Sequence, residues 1–443
     1  MEHVIKNFDA LVSNNRLRED ALTIAEAGYA AIDVGNALRR TLHVEGDTLT
    51  VAKRGLLETR TSDVLTFPLA KRHIFFVGVG KCAFSAAPVI EEMFGERLTK
   101  GIALDVSSLP TGLKKIEALV GTHPLPSKEN VRATKRILDL LEAAREGDLV
   151  IILVSGGGST LLAAPAPGMT AEGETAIFKA LTVCGTPIRD LNIVRKHLSR
   201  ARGGGLARAA YPALVLALIA SDVPGDDLAT ISSGPTVRDD STAEEAEAIL
   251  ARAGTSLPAG ASFIETPKDA WRFERVTNVL FLAGRDALAA MQDAARARGY
   301  AVTIAARQFS GEASALARSI AERLHAAVPK AVLLHSGEST VRTSDVLVSV
   351  HGGRNQELAL AALEEVREDE LILPFASDGR DNGDYAGAIA DRATQEHARD
   401  RGLSIEDALA HHASTDFFTA SGDALETGYT GTNVSDLIVA LKR

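Results

Sequence analysis

A cluster of cationic side chains beside three glycines is the part of the sequence with the clearest chemical potential. The run 192–205 places five potential cations before its glycines: Arg195, Lys196, His197, Arg200 and Arg202. The chain as a whole has a formal net charge of -10. Guanidinium groups bind carboxylates and phosphates bidentately, and glycine backbones can approach an anion closely. The cluster predicts an anion site in which Arg195, Lys196 and His197 contact the substrate, with a solvated basic helix face as the alternative.

Two glycine-rich turns follow apolar segments and supply a second set of candidates. The segment 78–83, Gly-Val-Gly-Lys-Cys-Ala, fits the loose dinucleotide pattern G-x-G-x-x-A, and Lys81 adds a cation where a phosphate would lie. The segment 155–160, Ser-Gly-Gly-Gly-Ser-Thr, costs backbone entropy without a packing gain, which is explained if its backbone lies against a ligand. We predict that Ser155 binds substrate and that the following residues bind phosphate: Gly156, Gly157, Gly158 and Ser159.

Carboxylates follow the apolar segment 214–220. Asp222 and Asp227 are the candidates there for holding Mg²⁺, which takes one or two carboxylates together with waters and substrate phosphates. An Asx-turn is the alternative for either side chain. The nearby turn 232–236, Ser-Ser-Gly-Pro-Thr, is a further candidate for phosphate contact.

The C-terminal half contains another glycine pair before a predicted helix. Arg354 follows this pair, in the expected first turn of the helix. A cation there opposes the helix dipole, so an anionic partner explains it better than helix stability does. Asn355 adds an amide at the same place. The small polar turn near the C-terminus has similar character, and with Asn355 it is predicted to bind the nucleotide or its phosphates: Gly431, Thr432 and Asn433.

Short apolar segments that end in glycine- or aspartate-rich loops must position these side chains. Helical stretches separate several of them, and the clearest are 73–80, 149–158, 214–222, 279–284, 331–338 and 371–379. Near-continuous apolar strands are typical of parallel sheets covered on both faces, and their alternation with helices predicts α/β architecture. Ligands bind beyond the carboxyl ends of such strands, which is where most of the candidate residues lie. A domain boundary is expected in the less patterned region 253–272.

The bulk composition excludes several classes of protein. The chain has 443 residues, enough for two or three domains, and its two cysteines match no zinc spacing. Its acidic balance argues against general nucleic-acid binding, and no apolar run approaches the ~18 residues that a membrane span needs. The N-terminus lacks the layout of a signal peptide. We expect a cytoplasmic protein with a small-molecule substrate and without nucleic-acid or membrane partners; a homodimer stays open.

In this order, the motifs resemble the glycerate 2-kinase family, whose C-terminal portion is called the MOFRL domain. The segments that carry the resemblance run along nearly the whole chain: 77–81, 122–126, 154–159, 192–199, 221–227, 233–236, 352–357 and 430–434. The resemblance implies a Rossmann-like α/β/α domain over residues 1–255 and a smaller MOFRL-type α/β domain over residues 256–443. It also implies an active site in the cleft between the two domains.

The resemblance further implies a reaction. Members of the family transfer phosphate from ATP, with Mg²⁺, to the 2-hydroxyl of D-glycerate, giving 2-phosphoglycerate. The suspected catalytic cations of the family correspond to Lys81 and Arg354, and Arg354 is expected to act across the cleft. Three features depart from the usual pattern, namely a shortened acidic loop at 377–387, Tyr429 and Ser336. These departures leave the identity of the acceptor acid open, so that a kinase of a related hydroxy or sugar acid is an alternative.

Two further functions stay compatible with part of the sequence. The G-x-G-x-x-A turn would suit an NAD(P)-dependent hydroxypyruvate reductase, with Asp105 holding the ribose. That function leaves the glycine run, the acidic loops and Arg354 without a role. A non-catalytic anion-binding protein would explain the cations but gains nothing from carboxylates beside them.

Overall fold

The computed structural model describes residues 3–52, 64–107, 109–341 and 352–443. The chain divides into two compact units. Val34–Leu282 forms one, called here the parallel-sheet unit, and Met1–Asp33 with Ala283–Arg443 forms the other, called here the mixed-sheet unit. The predicted α/β class is confirmed.

The described helices and strands alternate along much of the chain. The helices are α1 (Phe8–Val12), α2 (Arg16–Ala31), α3 (Val34–Thr41), α4 (Ala83–Phe94), α5 (Lys128–Glu142), α6 (Gly158–Leu161), α7 (Ala171–Val183), α8 (Ile188–His197), α9 (Gly205–Ala210), α10 (Ala243–Arg252), α11 (Gly284–Ala297), α12 (Ala313–His325), α13 (Arg354–Ala362), α14 (Arg392–Asp400), α15 (Ile405–Ala410) and α16 (Ser414–Ser421). The strands are β1 (Leu42–Glu45), β2 (Thr48–Ala52), β3 (Val64–Pro68), β4 (Ile74–Val79), β5 (Leu98–Asp105), β6 (Ile116–Val120), β7 (Leu149–Val154), β8 (Leu214–Ala220), β9 (Val276–Leu282), β10 (Ala301–Glu312), β11 (Ala331–Thr340), β12 (Glu370–Ala376), β13 (Gly387–Ala388), β14 (Ala390–Asp391), β15 (Ala424–Leu425) and β16 (Asp436–Lys442).

The main sheet of the parallel-sheet unit has the strand order β6-β5-β4-β7-β8-β9, and its described pairings are parallel. The chain starts at β4, moves outward to β6, and then returns to add β7, β8 and β9 on the other side. This is the Rossmann order, and the reversal between β4 and β7 creates a crevice where ligands bind. Every residue of β7 is buried, as expected for a strand covered on both faces. A small antiparallel sheet, β1-β2-β3, belongs to the same unit.

The mixed-sheet unit is built on a second sheet with the order β10-β11-β16-β12-β13-β15, and β14 pairs with β12. β10 and β11 run parallel, whereas β16 is antiparallel to both of its neighbours. The N-terminal helix α2 belongs to this unit through a buried ion pair: Arg18 donates from Nε to Asp391 (2.7 Å) and lies 2.8 Å from Asp423. Tyr29 also donates its hydroxyl to the Ala376 carbonyl (3.0 Å).

The unit boundaries differ from the predicted division after residue 255. β9 pairs with β8, which keeps residues 276–282 in the parallel-sheet unit. The first 33 residues join the C-terminal segment instead of the unit that follows them in sequence. The physical reason is burial of the apolar face of α2, which no local feature of the sequence assigns to a distant partner. Among the described residues, no helix is both long and apolar enough for a membrane span.

Candidate active site

The loops after β4 and β7 are hydrogen-bonded to each other at the crevice of the parallel sheet. The Lys81 N–H donates to the Gly156 carbonyl (3.0 Å), and the Cys82 N–H donates to Ser155 Oγ (3.0 Å). A Cβ on Gly80 would lie 2.3 Å from that Oγ, so this approach requires glycine. Ser155 is fully buried and acts as a support of the loop, which argues against its predicted contact with substrate.

Gly157 lies where the loops after β4 and β7 approach a third loop, which contains His123. Its φ is +87°, a left-handed conformation, and a Cβ there would lie 3.5 Å from Lys81 Cγ and 3.6 Å from His123 Cδ2. The structure therefore brings the predicted cation and the predicted glycine loop together. His123 is exposed and was not among the predicted site residues, because a single histidine in a loop gives no spacing signal. A cation and an imidazole beside glycine backbone at strand ends are suited to binding a phosphate.

We expect Gly157→Ala to raise the KM for the phosphoryl donor and to cost about 1–2 kcal/mol of folding stability through its positive φ. Gly147→Ala is the matched control, since Gly147 has a φ of +97° and no described residue beyond its chain neighbours comes within 4 Å of the position that a Cβ would take. Both variants should lose similar stability in chemical denaturation, but only Gly157→Ala should change the KM. Equal kinetics for the two variants would make Gly157 purely structural.

Ser232 and Ser233, called here the serine loop, contact the segment 155–160, called here the glycine loop. Ser232 and Ser233 have φ of 51° and 61°, a conformation that is unfavourable for residues with a side chain. Ser232 donates its hydroxyl to the Ser155 carbonyl (2.7 Å), and Ser233 Oγ lies 2.9 Å from Ser159 Oγ. A Cβ on Gly158 would lie 2.3 Å from Ser232 Oγ, so the two loops fit only with glycine there. The strain and the contacts identify Ser232 and Ser233 as positioning residues.

The glycine run that follows the cationic cluster has a structural role. Gly203 donates its N–H to the Ser233 carbonyl (2.9 Å), and Gly204 donates its N–H to the Gly234 carbonyl (2.8 Å). These two donors are therefore used within the protein rather than on an anion. The predicted close approach of this glycine backbone to a ligand is not what the structure shows; the run holds the serine loop in place.

Two of the three predicted substrate cations are also used internally. Lys196 is 8% exposed and forms an ion pair with Asp239 (3.1 Å). His197 is fully buried, and its ring nitrogens contact the Ile264 carbonyl (2.8 Å) and the Ser241 hydroxyl (3.2 Å). Burying a charge is tolerated when it is paired in this way. These contacts favour a structural role for Lys196 and His197.

Arg195, the third predicted cation, lines a cavity of about 380 Å³ in the parallel-sheet unit. Ser159 and Thr160 of α6 line the same cavity, so it adjoins the glycine loop. The guanidinium carbon of Arg195 lies 4.9 Å from the ring centroid of Phe178, a cation–π distance. Burial, together with the neighbouring Arg202, lowers the pKa of Arg195.

The two predicted metal ligands follow β8 at the same edge of the sheet. Asp227 accepts hydrogen bonds from the Ala229 N–H (3.1 Å) and from the Thr230 hydroxyl (2.6 Å), so it forms the local turn that was the structural alternative. Asp222 is partly buried directly after the strand. Within the described ranges, no group of three His, Cys, Asp or Glu residues is arranged to hold a metal ion.

Asp105, which a reductase would place on the ribose, is fully buried. Its carboxylate accepts the Phe84 N–H (3.0 Å) in the first turn of α4 and the Val106 N–H (2.6 Å). Burial raises the pKa of Asp105, and these hydrogen bonds oppose that shift. A carboxylate committed to backbone N–H groups is poorly placed to bind a ribose, so these contacts argue against the role that the reductase hypothesis gave to Asp105.

In the mixed-sheet unit, Arg354 is held by carboxylates of its own unit. Its Nε and Nη2 donate to both oxygens of Asp436 (2.5 and 3.2 Å), and Nη2 also donates to Glu338 (3.0 Å). The Arg354 side chain is 36% exposed, so part of it remains accessible to a ligand. These protein carboxylates supply the anionic partner that the helix position of Arg354 predicted, and they raise its pKa.

The N-terminus of α13 is capped by Asp381. One carboxylate oxygen accepts the Asn355 N–H (3.0 Å), and the other accepts the Gln356 N–H (2.7 Å). A carboxylate at this place offsets the helix dipole. Asn355 is fully buried and donates its side-chain amide to Asp381 (3.3 Å), which leaves it no surface for the predicted phosphate contact.

The predicted C-terminal turn packs on the acidic loop of the same unit. Thr430 donates its hydroxyl to the Ser377 carbonyl (2.6 Å). Thr432 is 1% exposed and donates to the Ile32 carbonyl (2.9 Å), and Gly431 is buried beside it. Asn433 is partly exposed and is the member of the predicted set that presents surface.

Asp436 is fully buried under Arg354, and this burial raises its pKa to about 7 although Arg354 opposes the shift. Between pH 4 and pH 7 the folded protein therefore holds a proton that the unfolded chain has released, so its stability falls as the pH rises. We expect a plot of unfolding free energy against pH to be flatter over this range in Asp436→Asn than in wild type. Parallel curves would show that Asp436 is ionised throughout.

The sequence and the fold are similar to those of known proteins along most of the chain. Two family models match it: "Domain of unknown function (DUF4147)" over residues 20–263 and "MOFRL family" over residues 331–436. A glycerate 2-kinase of Pyrococcus horikoshii is 33% identical over 392 residues, which cover 84% of this chain and 88% of the relative. The chain belongs to the glycerate 2-kinase family. The predicted resemblance is therefore confirmed.

A solved structure and a further relative are also similar to this chain. The crystal structure of a glycerate kinase from Thermotoga maritima matches with a TM-score of 0.81 and 30% identity, over 95% of this chain and 98% of that chain. A relative from Agrobacterium vitis, 36% identical over 377 residues that cover 82% of this chain and 85% of its own, carries the name "Putative hydroxypyruvate reductase". The names in the family thus divide between a kinase and a reductase.

The departures from the family's usual motifs lie together in the mixed-sheet unit. Tyr429 replaces a usual proline, and the guanidinium of Arg380, in the shortened acidic loop, lies 5.5 Å from its ring centroid. A Cβ on Gly379 would lie 1.9 Å from the Gly428 carbonyl, so the two loops are closely packed. The acidic loop and the turn that contains Tyr429 are therefore in contact.

Proposed function

We propose that this protein is a glycerate 2-kinase, which transfers the γ-phosphoryl group of ATP to the 2-hydroxyl of D-glycerate. The observation that carries the proposal is the contact of Lys81 and the Gly157 loop at the crevice of the parallel sheet. Phosphoryl transfer depends on positioned cations and donors around the transferring group and needs little covalent participation by the protein. The kinase names among the relatives support the same reaction.

Each group of residues has one task in this proposal. The backbone of residues 156–158 and the Ser159 hydroxyl receive the phosphates of ATP, and Lys81 stabilises the charge on the transferring group. Arg354 is the second cation of the reaction. The 2-hydroxyl oxygen forms a bond to the γ-phosphorus as the bond to the bridging oxygen breaks, ADP leaves, and the hydroxyl proton is released to solvent.

Mg²⁺ is part of the proposal as the ion that accompanies ATP. A magnesium site commonly consists of one or two carboxylates plus waters and substrate phosphates, so a three-residue cluster is not required. Asp222 and Asp227 are the candidates for this role, and the oxygens of Asp227 also accept two hydrogen bonds from its own turn. When bound, the ion neutralises negative charge on the phosphates. A cytoplasmic location and small-molecule partners belong to the same proposal.

The test is to incubate the purified protein with D-glycerate and ATP–Mg²⁺ and to follow the products by ³¹P NMR. We expect ADP and 2-phosphoglycerate in equal amounts. A parallel reaction with hydroxypyruvate and NADPH, followed by absorbance, tests the activity that one relative's name suggests. Reduction of hydroxypyruvate without formation of ADP in the first reaction would refute the kinase assignment.

The acceptor acid is tested in the same assay. Because the changed loops at residues 377–387 and Tyr429 are in contact, a panel of hydroxy and sugar acids is compared with D-glycerate by kcat/KM. We expect D-glycerate to have the highest value. A larger acid with a higher value would assign the enzyme to a related acceptor and leave phosphoryl transfer unchanged.

A further inference from the structure

The cavity beside the glycine loop has mainly apolar walls. α7 provides one wall with residues of one helical face, including Phe178 and Thr182, and the loop 124–126 provides another with two prolines and Leu125. Leu125 and Val183, both on the cavity, are 44% and 87% exposed. Large apolar side chains left open beside a concave site indicate a surface that a ligand covers.

The floor of the cavity holds a buried ion pair with unused hydrogen-bonding capacity. Arg202 donates from Nη1 to Glu174 Oε1 (2.5 Å), and both side chains are 1% exposed. Glu174 Oε2 and Arg202 Nε are buried without a hydrogen-bond partner in the described part of the chain. Leaving such groups unpaired in a protein interior is costly. Both residues line the cavity, so its wall contains an acceptor and a donor that the described residues leave unpaired.

The remaining charges of the cavity favour an anionic ligand with an aromatic part. Arg195 covers one face of the Phe178 ring, and Lys179 lies on the rim. With Arg202 offset by Glu174, these two cations give the site a positive balance. Ser159 lines the cavity and also contacts the serine loop beneath the glycine loop. A ligand can therefore extend from the apolar cavity onto the proposed phosphate loop.

We propose that the cavity binds the adenine base of the phosphoryl donor, an inference that rests on the proposed kinase function. The exocyclic amino group of adenine donates to Glu174 Oε2, and ring nitrogen N7 accepts from Arg202 Nε. The flat base packs against Phe178 and covers the open apolar rim. This assigns Arg195 to the nucleotide rather than to the acceptor acid, because a small hydroxy acid would leave the apolar walls uncovered.

The base contacts are tested with inosine triphosphate, whose base has a carbonyl oxygen where adenine has the amino group. We expect the KM for ITP to exceed that for ATP at least ~10-fold, because the carbonyl faces the Glu174 carboxylate and one buried hydrogen bond is lost. In Glu174→Gln an amide N–H can meet that carbonyl, so the preference for ATP should shrink or invert. A purely structural Glu174 would weaken both donors alike, and equal KM values for ATP and ITP in wild type would overturn the proposal.

A second variant covers the case in which Glu174→Gln fails to fold. Thr182 is exposed on the cavity, and Thr182→Trp fills part of it. The control is Ala176→Trp, at an exposed position of the same helix away from the cavity. We expect Thr182→Trp alone to raise the KM for ATP at least ~10-fold with the KM for D-glycerate unchanged. A rise in the D-glycerate KM instead, or no change in either, would overturn the base assignment.

Failure of the proposed function gives a different result. If the wild-type protein does not phosphorylate D-glycerate with either ATP or ITP as the donor, the kinase assignment fails. Calorimetric titration with ATP and ITP then still tests the cavity, since it needs no turnover. Tighter binding of ATP that Thr182→Trp abolishes would support the base site, and no binding of either nucleotide would overturn it.

Discussion

Lys81→Ala should lower kcat at least ~100-fold, the scale of losing one preorganised electrostatic group at a transition state. The backbone of Lys81 is fixed to the Gly156 carbonyl, so its side chain leaves the sheet edge from a defined position beside Gly157. Removing the side chain leaves that backbone in place. Steady-state kinetics with ATP and D-glycerate should therefore show a large loss in kcat and smaller changes in both KM values.

The control for this prediction is a lysine of the same unit that lies away from the loops. Lys135 forms an exposed helical ion pair with Asp139 (2.6 Å), which contributes only a few tenths of a kcal/mol. Lys135→Ala should keep wild-type kinetics. A folded Lys81→Ala protein with near-normal kcat would remove Lys81 from the reaction.

Arg354→Lys is expected to lower kcat by a similar factor of about 100, because an ammonium group cannot reproduce the planar fork that Arg354 forms with Asp436. A lysine ammonium can pair with one carboxylate oxygen, but it cannot contact both oxygens of Asp436 and an oxygen of Glu338 at the same time. The variant therefore lacks the oriented guanidinium group whose accessible part could contact a ligand. The measurement is kcat with saturating ATP and D-glycerate, after circular dichroism has shown that the fold is retained.

Arg392→Lys is a closely matched control. Arg392 is also the first residue of a helix, α14, and that helix is also capped by an aspartate. Its guanidinium pairs with Glu396 on the exposed surface. We expect Arg392→Lys to be kinetically silent. If Arg354→Lys is silent too, Arg354 is a structural residue of the mixed-sheet unit.

Much of the fold could be predicted because parallel strands leave a strong sequence signal. β4, β7 and β8 are almost continuously apolar, and each was expected from that pattern. β10 and β16 were not predicted. β10 has an irregular pattern with many exposed residues and two register shifts, whereas β16 follows a polar, glycine-containing turn. The association of α2 with the C-terminal segment depends on long-range packing, which periodicity does not encode.

The candidate site was predictable where glycine had to allow a close approach. Lys81 and Gly157 were expected at one site because a glycine turn after a strand has few purely structural explanations, and the structure places them next to each other. For Lys196 and His197, a sequence shows the cations of a cluster but not the buried carboxylate of Asp239, which lies 3.1 Å from Lys196 and 3.6 Å from His197. Arg354 shows a similar effect. Its position in the helix predicted an anionic partner, and the carboxylates of Asp436 and Glu338 are such partners within the protein.

The mixed-sheet unit consists of two segments that are far apart in the sequence, which has a consequence for synthesis on the ribosome. Translation completes α2 early, yet Asp391 and Asp423, the buried partners of Arg18, emerge only near the end. At about 5–20 residues per second, the wait lasts on the order of ten seconds or more. Until α11 has emerged, the apolar face of α2 lacks the helix against which it packs in the folded unit. The nascent chain is then a client for chaperones that shield apolar helices, and a fragment starting at Ala283 would lack the cation that neutralises its own core.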